Sequence, residues 1–375
     1  MRIAINTRLL LKGKMDGIGW FTAETVRRIV TAHPEHTFYF FFDRRPDPDF
    51  IFAPNVVPVV LCPQARHPVL WYLFFEWAVP MALKKYKIEL FLTPDGYMPV
   101  HPSVPTLTVI HDLNFEHSAD NLIPSHQRYM TRFFPQFARN ATRIATVSEY
   151  SKRDIAATYG VDEAKIDVVY DGAHDRYRPH TDAEKQAIRE RYTGGSRYII
   201  FVSTILKRKN LTNLLLAFDK VKDMESGDLK LVVVGGRVWW QDELAAAYDG
   251  MKHKSDVIMP GRVEPDDLAG LMSAAEALVY PSYFEGFGIP ILEAMYAETA
   301  VICSRTTSMP EVGGDAVIYI DPSSVDDIAH AISSLRDNNI RESLIEKGRC
   351  QREKFSWERT ANLLWTSVMQ TIERS

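Results

Sequence analysis

Short apolar runs, each followed by a stretch of helical periodicity, recur along the whole chain, and this alternation limits the fold more than any single residue does. In the first half, strands are expected at residues 3–6, 38–42, 89–92, 107–110 and 143–147, with 167–170 closing the series. Helical patterns fall between them, at about 18–32, 69–86, 126–140 and 149–159. A second series has strands at 198–202, 231–234, 256–259, 277–280, 301–304 and 317–320, with helices near 211–221, 242–252, 265–275, 290–296, 325–335 and 340–355. Apolar runs without polar alternation suit parallel strands covered on both faces. Strand and helix in turn give doubly wound α/β domains of Rossmann type. A chain of 375 residues exceeds what one core usually supports. Two domains are therefore expected, residues 1–175 and 176–356, joined through the polar, turn-rich stretch 171–179. The last helix, 357–375, has no following strand. Two such domains facing each other would place a ligand in the cleft between them, because open α/β sheets bind at the carboxyl ends of their strands.

Composition excludes several classes. The chain is 46% hydrophobic and 25% charged, with net charge −4 and no long Lys/Arg run, so a nucleic-acid partner is not expected. Three cysteines, Cys62, Cys303 and Cys350, lie far apart without CxxC spacing, which speaks for reduced thiols and against a zinc site. The chain opens directly into an apolar strand, and no segment reaches the ~20 apolar residues of a spanning helix. A cytoplasmic protein is expected. The segment Val69-Leu-Trp-Tyr-Leu-Phe-Phe-Glu-Trp-Ala-Val-Pro80 is unusually aromatic. It reads as a largely buried core helix, since the basic flank of a membrane-surface helix is missing. The alternative is a peripheral contact of the first domain with the inner face of a membrane.

The most informative loop is Pro281-Ser-Tyr-Phe-Glu285-Gly286-Phe287-Gly288-Ile-Pro290-Ile-Leu-Glu293. It follows a short strand and opens a helix at Pro290, where the missing N–H costs nothing. Backbone N–H groups beside a helix N-terminus favour a bound anion. Carboxylates at both ends of such a loop, Glu285 and Glu293, suit a ligand that also carries hydroxyls. A nucleotide sugar has all these parts. The plainer reading is a solvated Glu on a turn and a second Glu favoured by the helix dipole.

Other signals are individually weak. Ser203-Thr204-Ile-Leu-Lys207-Arg208-Lys209-Asn210 places three cations ahead of a helix, opposing its dipole unless an anion such as a diphosphate lies among them. Asn210 is expected to cap that helix. His111-Asp112 ends a central strand, where a histidine either serves the ligand side or is structural; no further His or Cys has metal-ligand spacing. Gly17 and Gly19 precede the first helix and can bring backbone close to phosphate. With Asp43 ending the second strand, a dinucleotide-binding dehydrogenase is a rival, but Thr22 stands where the third glycine belongs and the glycines come too late after the strand.

Together these stretches resemble the retaining glycosyltransferases of family four. The resemblance rests on Val202-Ser-Thr-Ile-Leu-Lys-Arg-Lys-Asn-Leu211, Gly261-Arg-Val-Glu-Pro-Asp-Asp-Leu268, the Glu-x7-Glu block 280–295 and Met309-Pro-Glu-Val-Gly-Gly-Asp315. Asp16-Gly-Ile-Gly19, Val109-Ile-His-Asp112 and Thr146-Val-Ser-Glu-Tyr-Ser-Lys152 fit the same group. Three positions depart from it: Ser203 replaces a usual glycine, Leu206-Lys207 a common Glu-Pro, and 296–300 lacks the usual Gly-x-Pro turn.

The resemblance implies the GT-B fold, with two Rossmann-like domains and a last helix crossing back onto the first. It implies a nucleotide-sugar donor on the second domain, a glycan or lipid-linked saccharide acceptor on the first, and no metal or other cofactor. Arg208 and Lys209 would hold the donor diphosphate, with Ser203 and Thr204 in the same loop. Glu293 would bind the ribose hydroxyls, while Glu285 and the backbone of Gly286, Phe287 and Gly288 would hold the sugar. Backbone near Arg262 and Val263 would meet the base. His111 would touch the transferred sugar, and Gly17 and Gly19 would approach phosphate or acceptor. The Gly-Phe-Gly-Ile-Pro loop is most similar to the mannosyltransferase branch, which makes GDP-mannose the expected donor, with UDP- or ADP-hexoses left open. Two other functions stay in view: a glycoside hydrolase using Glu285 and Glu293, and an inactive sugar-nucleotide-binding scaffold.

Overall fold

The computed structural model describes residues 1–118, 122–224, 227–236 and 242–373. The chain forms two compact units, Met1–Asp171 with Trp357–Ser375, and Gly172–Ser356.

The first unit is built on seven parallel strands: β1 (Arg2–Asn6), β2 (Thr37–Phe42), β3 (Val56–Val60), β4 (Leu90–Thr93), β5 (Thr106–Val109), β6 (Arg143–Thr146) and β7 (Ile166–Val168). Their order is β3-β2-β1-β4-β5-β6-β7. The expected strands are present, and β3 is an addition. Pro58 obscures it in the sequence, but Pro is tolerated where a strand lies at the sheet edge, as β3 does. Helices α1 (Gly17–Ala32), α2 (Pro68–Leu73), α3 (Val79–Lys85), α4 (Asn114–His117), α5 (Pro124–Asn140) and α6 (Glu149–Tyr159) accompany the sheet.

The aromatic segment departs from expectation. Instead of one continuous α-helix, α2 and α3 are joined by a π-helical turn, Phe74–Ala78. Pro80 lacks the N–H that would close an i→i−4 bond, and a π turn is a common way to absorb such an interruption. One face of the segment is buried through Trp71, Phe74, Phe75, Val79 and Leu83. The other is not: Val69, Tyr72, Leu73, Trp77 and Met81 are exposed, so a largely buried core helix is only half correct.

The second unit has six parallel strands, β8 (Tyr198–Val202), β9 (Lys230–Val234), β10 (Val257–Gly261), β11 (Ala277–Tyr280), β12 (Ala300–Ser304) and β13 (Ile318–Ile320), in the order β10-β9-β8-β11-β12-β13. Its helices are α7 (Asp182–Thr193), α8 (Leu211–Met224), α9 (Asp242–Gly250), α10 (Pro265–Ala274), α11 (Ile289–Tyr296), α12 (Met309–Gly313), α13 (Val325–Ser334) and α14 (Asn338–Arg352). The sequence reading missed α7, although Thr181 and Glu184 form a capping box there. Its strongly polar face hid the periodicity.

The last helix, α15 (Trp357–Glu373), belongs to the first unit and lies against α1. Trp357 meets Phe21 edge-on at 6.2 Å between ring centroids, and Trp365 stacks on His33 at 3.9 Å. Aromatic pairs of this kind contribute ~0.5–1.5 kcal/mol beyond burial.

The carboxyl ends of β8 and β9 approach each other closely. A Cβ added to Gly235 would lie 1.7 Å from the carbonyl oxygen of Ser203, and its φ is +149°. Neighbouring Gly236 has nothing within 4 Å. Gly235→Ala is therefore expected to cost at least ~3 kcal/mol in urea unfolding and Gly236→Ala less than ~1 kcal/mol. Equal costs at both positions would contradict this crossing of the two strand ends.

Candidate functional site

The loop after β11 is strapped down from two sides. Asn210 Nδ2 donates to the Pro281 carbonyl at 3.0 Å, and the Tyr283 N–H donates to the Arg208 carbonyl at 2.8 Å. From the segment after β12, Thr307 Oγ1 accepts the Glu285 N–H at 3.1 Å, and Ser308 Oγ lies 2.9 Å from the carbonyl oxygens of both Glu285 and Phe287. Phe287 meets Phe355 edge-on at 5.5 Å. Asn210 corrects an expectation. It sits in the left-handed region, φ +60°, and its side chain reaches Pro281 and Pro322 instead of capping α8. Asn is among the few non-glycine residues that accept this conformation readily.

These straps hold a buried charge cluster. Glu285 is 6% exposed and Lys209 8%. Lys209 Nζ donates to Glu285 Oε1 at 2.6 Å and to Tyr280 Oη at 2.8 Å; Arg208 Nη1 donates to Glu285 Oε2 at 3.2 Å and to the Phe284 carbonyl at 2.8 Å. Burial pushes the Glu285 carboxyl up, but Lys209 and Arg208 outweigh it and hold the group at about 2. The Tyr280 phenol, raised by burial, stays neutral. Within this cluster two cations face one carboxylate, in the loops that lead into the positive N-terminal end of the α11 dipole. That is a setting for an anion. A carboxylate paired to two cations stays ionised at neutral pH.

Glu293 lies on α11, beyond Gly288, which takes φ +102° at the N-cap. Its environment is the opposite of that around Glu285. Burial of the carboxyl raises it to about 7, with a hydrogen bond from Tyr177 and the charge of Arg176 only partly offsetting this. Environment thus separates the two carboxylates of one loop by several pH units. Ser203 and Thr204 follow β8, and Ser203 N–H donates to the Val234 carbonyl at 3.0 Å. Arg262 and Val263 follow β10 beyond Gly261, and Arg262 is exposed. All these positions lie at the carboxyl ends of neighbouring parallel strands, though Arg262 and Val263 sit toward the β10 edge, away from the Glu285 cluster.

His111, Gly17 and Gly19 belong to the first unit. His111 Nε2 lies 2.8 Å from the Pro94 carbonyl, which can only accept, so the proton is on Nε2 and Nδ1 carries the lone pair. Burial lowers its pKa, so the ring is neutral at pH 7. Phe21 meets it edge-on at 4.8 Å. The carbonyl it leans on is positioned by a buried network: Asp95 accepts from Arg8 Nε at 2.6 Å and from Asn6 Nδ2 at 2.8 Å. The Gly19 N–H donates to the Asp16 carboxylate at 2.9 Å, closing the cap of α1, while Gly17 has open space around it. Asp43, the acid a dinucleotide would need, is committed: it pairs with Arg44 and accepts the Ala65 N–H at 3.1 Å. Asp112 accepts the Asn114 N–H at 2.9 Å. Among the described residues, no group of three or more His, Cys, Asp or Glu could hold a metal ion.

Sequence reasoning missed Tyr280, Tyr177, Gly235 and the Arg8–Asp95 pair. Two signals could have found part of this: the Gly235-Gly236 pair following β9, and Asp95-Gly96 following β4.

Comparison with known proteins agrees with this geometry. The family profile described as "Glycosyltransferase Family 4" matches residues 15–177, and "Glycosyl transferases group 1" matches 182–351. The chain is similar to O-antigen chain mannosyltransferase B of Escherichia coli, 33% identical over 279 residues, covering 74% of this chain and 73% of that protein. It is 28% identical to O-antigen chain mannosyltransferase RfbU of Salmonella typhimurium over 277 residues, 72% of each. Among solved structures, sucrose-phosphate synthase from Thermosynechococcus elongatus superposes with a TM-score of 0.77 over 100% of both chains at 19% identity.

The raised Glu293 carboxyl predicts a pH dependence. The folded state binds this proton more tightly than an unfolded glutamate, ordinarily near 4.5, so stability falls as pH rises from about 4.5 through about 7. Relative to Glu293→Gln, the wild type should lose up to ~3 kcal/mol across that window, measured by urea unfolding in the absence of nucleotide. Parallel curves for the two proteins would refute the desolvated, proton-binding state of Glu293.

Proposed function

Because the chain belongs to the family 4 glycosyltransferases, we propose that it is a retaining mannosyltransferase moving mannose from GDP-mannose to a saccharide acceptor. The observation that carries this reading is the Lys209–Arg208–Glu285 cluster beside the start of α11. Its fixed positive charge suits a departing nucleoside diphosphate, and the relatives named mannosyltransferases select the sugar. The second unit is read as the donor side. Lys209 and Arg208 face the diphosphate, Glu293 the ribose hydroxyls, Glu285 and the backbone of 286–288 the sugar, Ser203 and Thr204 the phosphate loop, and the backbone at Arg262 and Val263 the base. The first unit is read as the acceptor side, where the Nδ1 lone pair of His111 accepts a sugar hydroxyl and Gly17 lies near the acceptor or phosphate.

In this reading the C1–O bond to phosphate breaks while the acceptor oxygen bonds to C1 from the same face. The acceptor's proton passes to a phosphate oxygen. Catalysis is then positioning plus electrostatic stabilisation by groups fixed before the reaction starts. Lys209 and Arg208 do the work a divalent ion could otherwise do. No carboxylate nucleophile is needed, which agrees with a Glu285 already paired to two cations.

Thermal stabilisation by GDP, UDP and ADP, with chelator present, tests the donor, since a ligand bound to the folded state raises stability by mass action. GDP is expected to stabilise selectively; stabilisation by UDP alone would replace the proposed donor. Lys209→Ala should weaken GDP binding far more than guanosine binding and lower mannosyl transfer by roughly 10²–10³-fold. Equal losses for both ligands would remove its charge-neutralising role. His111→Ala should lower transfer with GDP binding near wild type. Formation of a β-mannoside, read by NMR of the product, would overturn retention.

A further inference from the structure

Lys209 is held from two directions by two different kinds of acceptor. Glu285 Oε1 takes one of its N–H bonds at 2.6 Å, and Tyr280 Oη takes another at 2.8 Å. The two anchors stand on different ground. Glu285 belongs to the loop 281–288, whereas Tyr280 is the last residue of β11, in register with Cys303 of β12. Tyr280 is almost fully buried, so the core sets the position of its ring. A side chain locked by packing on a strand keeps its geometry more closely than one on a loop.

The chemistry of the two anchors differs as well. A lysine ammonium is a compact charge on a flexible four-carbon stem, and fixing that stem costs much rotamer freedom. A carboxylate fixes the ammonium but also opposes its charge. The phenol fixes it without doing so. Burial and the neighbouring Glu285 carboxylate both push the Tyr280 hydroxyl well above its ordinary value, so it stays neutral. It accepts a charge-assisted hydrogen bond and leaves the charge of Lys209 in place.

We propose that Tyr280 is a positioning residue of the transfer reaction, whose hydroxyl holds the Lys209 ammonium where a departing diphosphate meets it. Resting on the reading of Lys209 as the diphosphate contact, this role also resolves a conflict within that reading. Glu285 is asked to face both Lys209 and the sugar. Sugar hydroxyls that donate to Glu285 compete with Lys209 for the same two oxygens. The Tyr280 hydroxyl keeps the ammonium in place while they do. With 1% exposure, Tyr280 does not itself meet substrate and acts through Lys209.

A double-mutant cycle on the full chain tests this, read by calorimetric titration with GDP and guanosine and by mannosyl transfer. Tyr280→Phe removes only the hydroxyl oxygen. It should weaken GDP binding by roughly tenfold, leave guanosine binding near wild type, and lower kcat at least as much. In a Lys209→Ala background the same change should have almost no effect, because the group it positions is gone. Full, additive loss in that background overturns the proposal. So does a Tyr280→Phe protein with wild-type GDP affinity and transfer. Tm values near wild type verify folding, and Tyr280→Met and Lys209→Met remove the same polar groups as second variants. A GDP affinity that Lys209→Ala leaves unchanged removes the donor reading, and this role with it.

Discussion

The buried carboxylate of Glu285 holds two cations, Lys209 and Arg208, that would repel each other if left together after β8. Removing one partner of such a cluster leaves an uncompensated buried charge, a cost of ~3–5 kcal/mol in comparable buried pairs. The cluster joins the loop after β8 to the loop after β11, two strands that are neighbours in the sheet. Everything else at this end follows from that join. Asn210 can reach the Pro281 carbonyl, the 281–288 loop is drawn onto Ser308 and Thr307, and α11 starts just beyond it, with the positive end of its dipole toward the cluster's loop.

The parallel sheets explain why the candidate residues of each unit gather at one edge. Every strand enters from the same side, so every loop that follows one emerges on the other. In the first unit this places His111 after β5 next to Pro94 after β4, and the Arg8–Asp95 pair between β1 and β4 fixes the carbonyl on which His111 leans. That carbonyl fixes the tautomer of the histidine, while burial keeps the ring neutral. In the second unit the same geometry gives two glutamates of one loop opposite electrostatic surroundings. Glu285 is stabilised as an anion by adjacent cations, and Glu293 is destabilised as one by burial.

The segment from α2 to α3 shows the limits of reading a helix along its own sequence. Its apolar residues were too many for one buried face, and half of them cover the core while the rest stay exposed. The cations that border the exposed half come largely from α5, some fifty residues further along the chain. A local scan finds only Lys84 and Lys85 just beyond Met81, and the arginines of α5 lie outside its reach.

By itself the sequence determined the class of fold and most of its elements, because periodicity, glycine and proline placement and strand-to-helix alternation are local properties. It also pointed to Arg208, Lys209, Glu285, Glu293 and His111, through individually weak local patterns, three cations before a helix and two acids around a glycine loop, and through the family resemblance that joins them. Edge strand β3 and polar helix α7 escaped notice because Pro58 and a charged surface masked their patterns. Only the tertiary structure decided the state of those residues. Lys209 pairs with Glu285 across more than seventy positions, Tyr177 with Glu293 across more than a hundred, and Pro94 orients His111 from the neighbouring strand. Charge, tautomer and burial depend on what is close in space, and no run of consecutive residues records that.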